Sequence, residues 1–244
     1  MSPPLVLLPG LNCSAALWSG LDLGPVITPV LTEASVDAQV DRLLAELPAR
    51  FALAGLSLGG IVAMALVRRA PHRVERLCLM STTSRPPTSA QYAMWARQRA
   101  ALAAGATARD LQRELKTALL SPASRAAQPQ LVQITLAMAD TVGAQALDAQ
   151  LALQATRVDE RPGLSAVRCP TTVIAAADDA LCSVERHREI HALVRDAELV
   201  IIPDCGHLAP LEQPAPVQRA LDRWRTRALL VSSTAPTAGR PGGP

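Results

Sequence analysis

The chain reads as an α/β protein: a mostly parallel sheet flanked by helices, with a block of helices inserted between two strands. Three observations predict this. Short apolar runs of strand length recur along the chain, amphipathic segments of helical spacing lie between them, and one long internal stretch keeps the helical spacing without any strand-like run.

The strand candidates are LVLLPG at 5–10, RFALAG at 50–55, RLCLMS at 76–81, TTVIAA at 171–176 and ELVIIP at 198–203. Runs apolar on both faces suit a parallel sheet covered on both sides. The helix candidates are SVDAQVDRLLAELPA, with an acid near its start, GGIVAMALVRRAP, closed by Arg and Pro, VERHREIHALVRDA and APVQRALDRWRTRAL. Strand and helix alternate, so the crossovers should be right-handed. From Ser84 to Arg168 the text is rich in Ala, Leu, Gln and Arg and is punctuated at Gly105, Pro122, Pro129, Gly143 and Pro162. The expected organisation is a core of 1–83 and 169–230, a helical lid of 84–168, and a disordered tail of 231–244, where VSSTAPTAGRPGGP lacks any periodicity. The lid would cover the carboxyl ends of the strands, where such sheets bind ligands.

Composition narrows the function. At 244 residues and 49% hydrophobic, the chain can bury a sizeable core, built from aliphatic side chains because only 2% of residues are aromatic. The net charge of +3 is scattered, without the basic face that nucleic acid requires. The N-terminal apolar run is too short for a signal or membrane span, so no membrane association and a cytoplasmic location are expected. Cys13, Cys78, Cys169, Cys182 and Cys205 are odd in number and lack C-x-x-C spacing, which argues against disulfides and against structural zinc. His187 and His191 are four apart with no further ligand, and are expected on a solvated helix face.

LAGLSLGG at 53–60 carries the chemistry. Glycines at 55 and 59 flank Ser57 where a strand must turn sharply into a helix; such a turn holds the serine in strained dihedrals and exposes its hydroxyl beside the helix N-terminus. No Gly-Lys-Ser/Thr follows, which excludes a phosphate loop. A serine nucleophile needs a base and an orienting acid. His207, in IIPDCGHLAPLEQP, follows a strand and supplies the base. TTVIAA runs into Asp178 and Asp179, either of which can be the acid. Cys205, a second conceivable nucleophile, has no such turn.

Four segments in this order resemble the α/β-hydrolase superfamily, specifically its small carboxylesterase-type serine hydrolases: LVLLPGLNCSAALW, LAGLSLGG, CPTTVIAAADDAL and VIIPDCGHLAPLEQP. The resemblance covers residues 4 to about 228 and implies that fold and a triad of Ser57, Asp179 and His207. It favours Asp179 by ungapped match, with Asp178 the alternative because Ala176 replaces the family's glycine and Cys182-Ser183-Val184 replaces its Thr-Pro-Pro. It also implies an oxyanion hole from the amides of Leu11 and Leu58, although Pro9-Gly10-Leu11 stands where the family carries His-Gly-x. Asn12 would add a polar contact or cap that loop.

The activity implied is hydrolysis of a small-molecule acyl ester through an acyl-enzyme, with no cofactor and no metal. A thioesterase or lactonase with the same triad, or a hydrolase-fold binding protein with a weak site, are the alternatives. Ten basic residues against six acids in 84–168 disfavour a lid built for a substrate amine. Trp95 and Met138 are the expected substrate-binding residues. Oligomeric state is not written in the sequence.

Overall fold

The computed structural model describes residues 3–227, so the expected tail at 231–244 lies outside the described residues. The strands are β1 (Leu5–Leu8), β2 (Val26–Ile27), β3 (Phe51–Leu56), β4 (Val74–Met80), β5 (Thr171–Ala176) and β6 (Glu198–Ile202). They form one sheet in the order β2-β1-β3-β4-β5-β6, parallel throughout. Every residue of β1, β3 and β5 is buried.

Alternation along the strands divides the core. Leu5 and Leu7 of β1, Ala54 and Leu56 of β3, and Cys78 and Met80 of β4 face one apolar cluster; Val6, Leu8, Leu53, Leu77 and Leu79 face another. Helix α1 (Val36–Glu46), α2 (Leu58–Arg69) and α8 (Val184–Leu193) cover the second face. The first face is covered by α10 (Pro214–Thr226), through Val217, Leu221 and Trp224.

Between β4 and β5 come α3 (Ser89–Ala103), α4 (Ala108–Leu119), α5 (Pro122–Ala127), α6 (Gln130–Ala155) and α7 (Arg161–Leu164). Sequence capping explains their starts: Thr88 with Gln91 and Thr107 with Asp110 are capping boxes, and Ser121 caps α5 with Pro122 in its first turn. Gly143 breaks α6 with φ 74°, a backbone region that favours glycine. This insertion has an apolar cluster of its own, with Trp95, Leu111, Leu147 and Leu151. A short helix, α9 (Ala209–Glu212), follows β6.

Because the sheet is parallel, the residues after β3, β5 and β6 leave from one edge. Ser57, Asp179 and His207 occupy those three positions.

Candidate active site

Ser57 follows β3 directly and precedes the first residue of α2, with φ 54° and ψ −112°. A non-glycine residue in this region costs about 1–3 kcal/mol unless its surroundings enforce it. Here they do. The Ser57 N–H donates to Met80 O at 2.9 Å, and its carbonyl accepts from the Ile61 N–H at 3.1 Å and from Thr82 Oγ1 at 2.8 Å. The flanking glycines are steric requirements: a Cβ on Gly55 would lie 2.4 Å from Gly59 O, and one on Gly59 would lie 2.1 Å from Leu8 O.

His207 is buried, with Nδ1 2.9 and 2.8 Å from the two carboxylate oxygens of Asp179. A ring nitrogen facing a carboxylate carries the proton and donates it, so Nε2 is left as the acceptor. Asp179 also accepts the amides of Leu181 (2.8 Å) and Cys182 (2.9 Å). Burial by itself pushes its carboxyl up, but the attraction and hydrogen bond of His207, with the two amides, outweigh burial and hold it below the ordinary carboxylate value. Asp178 is exposed and, among the described residues, is tied only through its backbone N–H, which donates to Cys205 O at 2.8 Å. Of the two neighbouring aspartates, Asp179 is the one that meets the ring.

Ser57 and His207 line one cavity with Gly10, Leu11, Trp95 and Arg157. No hydrogen bond joins Ser57 Oγ to His207 among the described residues; such contacts commonly tighten only when substrate is bound. The Leu11 and Leu58 backbone N–H groups donate to no acceptor among the described residues, as the first amide of a helix and an unpaired loop amide can both do. Leu56, Ile61, Met94, Leu115, Leu119 and Leu208 give the cavity its apolar wall. Trp95 lines it, but Met138 does not. Met138 is 1% exposed and packs with Leu119 and Leu131 in the sheet-facing cluster, because its side of α6 turns toward the core. Met138, expected to touch substrate, lies instead in that sheet-facing cluster.

Three further side chains hold this arrangement, and the sequence reading missed or misjudged them. Glu212 is buried and accepts the amides of Ser121 (2.8 Å), Gly206 (3.0 Å) and Leu208 (3.2 Å), clamping the histidine loop to the start of α5. His187, expected on a solvated face, is fully buried. Its Nε2 accepts the Thr82 N–H at 3.1 Å and its Nδ1 donates to Ser183 O at 3.0 Å, so the ring is neutral and orders the segment that braces Ser57. Burial, foremost, lowers its pKa. Asn12, at φ 57°, reaches into the insertion: its backbone N–H donates to Gln150 Oε1 (2.8 Å), and its amide donates to Ala108 O and Gln112 Oε1, both 2.9 Å. It ties the Leu11 loop to the insertion.

Among the described residues one trio, Asp179, Cys182 and His207, brings possible metal-ligating atoms within 4.8 Å of one another. The aspartate and histidine atoms are committed to each other, and burial drives the Cys182 thiol far above its usual value, so the set suits a protonated thiol beside an Asp–His pair. Burial does the same to Cys205, which is fully buried; it has neither the exposure nor the thiolate character of a nucleophile.

An all-parallel sheet with this serine turn and this Asp–His pair at one edge defines the class. The family described as "Alpha/beta hydrolase family" matches residues 5–220, and the chain belongs to it and is a hydrolase. It is similar to the pimeloyl-[acyl-carrier protein] methyl ester esterase of Aromatoleum aromaticum, 35% identical over 186 residues that span 71% of this chain and 73% of that protein. Among solved structures, a thermophilic esterase from Thermogutta terrifontis superposes with TM-score 0.79 at 24% identity, covering 92% of this chain and 89% of that one. The enol-lactonase of Burkholderia xenovorans superposes with TM-score 0.80 at 16% identity, covering 93% of each chain. Among the described residues no helix is long and apolar enough to cross a membrane.

Proposed function

We propose that the chain is a serine esterase that cleaves small carboxylic esters through an acyl-enzyme on Ser57. The observation that carries this is the buried His207–Asp179 pair facing the same cavity as a serine held at positive φ. Ser57 Oγ attacks the ester carbonyl carbon as its proton passes to His207 Nε2. The negative charge that develops on the carbonyl oxygen is met by the Leu11 and Leu58 amides. The alkoxide leaves with the proton from His207, and the acyl group stays on Ser57. Water then attacks that acyl group, gives its proton to His207, and the acid departs as Ser57 is reprotonated. Throughout, Asp179 holds the ring and offsets its positive charge. The insertion serves as a lid whose apolar side chains receive the acyl chain. The relative named for methyl ester cleavage supports an ester over a thioester or lactone.

A fluorophosphonate probe tests the assignment: it should label the wild type and fail to label Ser57→Ala. Labelling that persists in Ser57→Ala would overturn the nucleophile, and a wild type that neither labels nor turns over any ester would favour a binding protein. Comparing kcat/KM for p-nitrophenyl esters, acyl thioesters and lactones ranks the substrate classes; fast lactone turnover beside negligible ester turnover would reverse the order proposed.

A further inference from the structure

Several arginines of the insertion have carboxylate partners: Arg85 with Glu189, Arg99 with Asp148, Arg109 with Asp140, Arg161 with Asp159. Among the described residues the half-buried Arg125 and the buried Arg157 have none, and of these two only Arg157 faces the cavity. It follows the last turn of α6, is only 7% exposed, and lines the cavity that holds Ser57 and His207. Its hydrogen bonds go to neutral acceptors, Gln154 Oε1 at 2.9 Å and Gln91 Oε1 at 2.8 Å, and its guanidinium lies over the Trp95 ring at 5.2 Å. Among the described residues its Nε has no partner, and neither does Nε2 of Gln112, a second buried side chain on the same cavity wall. A guanidinium has five N–H donors and keeps its charge at any physiological pH.

A buried cation without a counter-ion is costly to keep. Burial is the largest influence on the Arg157 pKa and lowers it. Among the described residues, Arg157 is, aside from His207, the one basic side chain lining the cavity, and no acidic side chain lines it. A single positive charge beside a largely apolar wall suits a single negative charge at the end of a carbon chain better than a phosphate dianion.

We propose that Arg157 is the anchor for a substrate carboxylate, so that the preferred substrates are esters carrying a free carboxylate, such as the monoesters of linear dicarboxylic acids. This deepens the esterase reading and rests on it. The Arg157 fork pairs with the carboxylate, the apolar wall covers the methylenes, and the length between the two sets which ester carbonyl reaches Ser57.

The test compares kcat/KM for monomethyl esters of linear diacids, from succinate to suberate, with methyl esters of the corresponding fatty acids. A second arm, 6-acetoxyhexanoate against hexyl acetate, places the carboxylate on the alcohol side. In one arm the wild type should prefer the carboxylate-bearing ester by roughly 10- to 100-fold, mainly through KM. Arg157→Gln should bring that ratio close to one, and Arg157→Lys, with charge but no fork, should keep part of it. A wild type without preference in either arm at every length overturns the proposal, even if Arg157→Gln does not fold; so does an Arg157→Gln variant that keeps the wild-type ratio. Calorimetry of adipate binding to Ser57→Ala separates this from the esterase reading. Binding without any wild-type ester turnover would sink the esterase and leave the anchor standing, whereas brisk neutral-ester turnover without adipate binding or preference would sink the anchor alone.

Discussion

Asp178 and Asp179 have the same chemistry and opposite surroundings. The first points to solvent, while the second accepts two loop amides and meets His207 at 2.8 Å. Replacing Asp179 by Asn should therefore cost roughly 10⁴ in kcat for ester hydrolysis, since an amide can neither fix the tautomer nor offset the imidazolium. Asp178→Asn should leave kcat near the wild-type value. A steady-state comparison of the two variants checks both statements, and equal losses would remove Asp179 from its role. Sequence alone separated these neighbours only through resemblance, because which of two consecutive side chains turns inward after a strand depends on the local turn. Ser57 and His207 were legible because glycine spacing and a position after an apolar strand are local signals. His187 was not. Four-residue spacing with His191 says that two rings share a side of a helix, not that α8 lays His187 against Thr82.

At the scale of elements, the link from β3 to α2 is set by close backbone approach. Gly59→Ala would bring a methyl against Leu8 O, and backbone cannot yield as a flexible side chain would. The variant should lose about 1–3 kcal/mol of stability in urea unfolding and should lose activity by more than that loss alone explains, because β1 and the Leu11 loop move with Leu8. Unchanged stability would show that the turn is looser than described. The same closeness makes such a turn readable: glycines at two fixed offsets report it. Strands buried on both faces were equally readable, as apolar runs. The edge strand β2 escaped because it is only two apolar residues, Val26 and Ile27, set between Pro25 and Thr28-Pro29, too short to read as a strand-length run. The helical spacing of the insertion was visible, but which faces turn inward was not, and Met138 and Arg157 therefore ended where spacing alone would not put them.

For the molecule as a whole, the neutral buried His187 links stability to pH. Its folded-state pKa is depressed, so as pH falls through about 6.5 the unfolded chain takes up a proton that the native ring does not, and native stability should decline. Melting temperature measured from pH 8 to pH 5 should fall more steeply for the wild type below that point than for His187→Gln, whose side-chain oxygen can still accept the Thr82 N–H. Parallel curves would mean that the ring is protonated in both states or in neither.

Glu212 bears on how such a molecule could admit a ligand. One sunken carboxylate grips the amide where α5 begins and two amides astride His207. Swinging the insertion away at Ser121 would strip a donor from an anion that water cannot reach and tug on the very strap that presents the imidazole. That corner is therefore the anchored end of the insertion, and any opening belongs away from it.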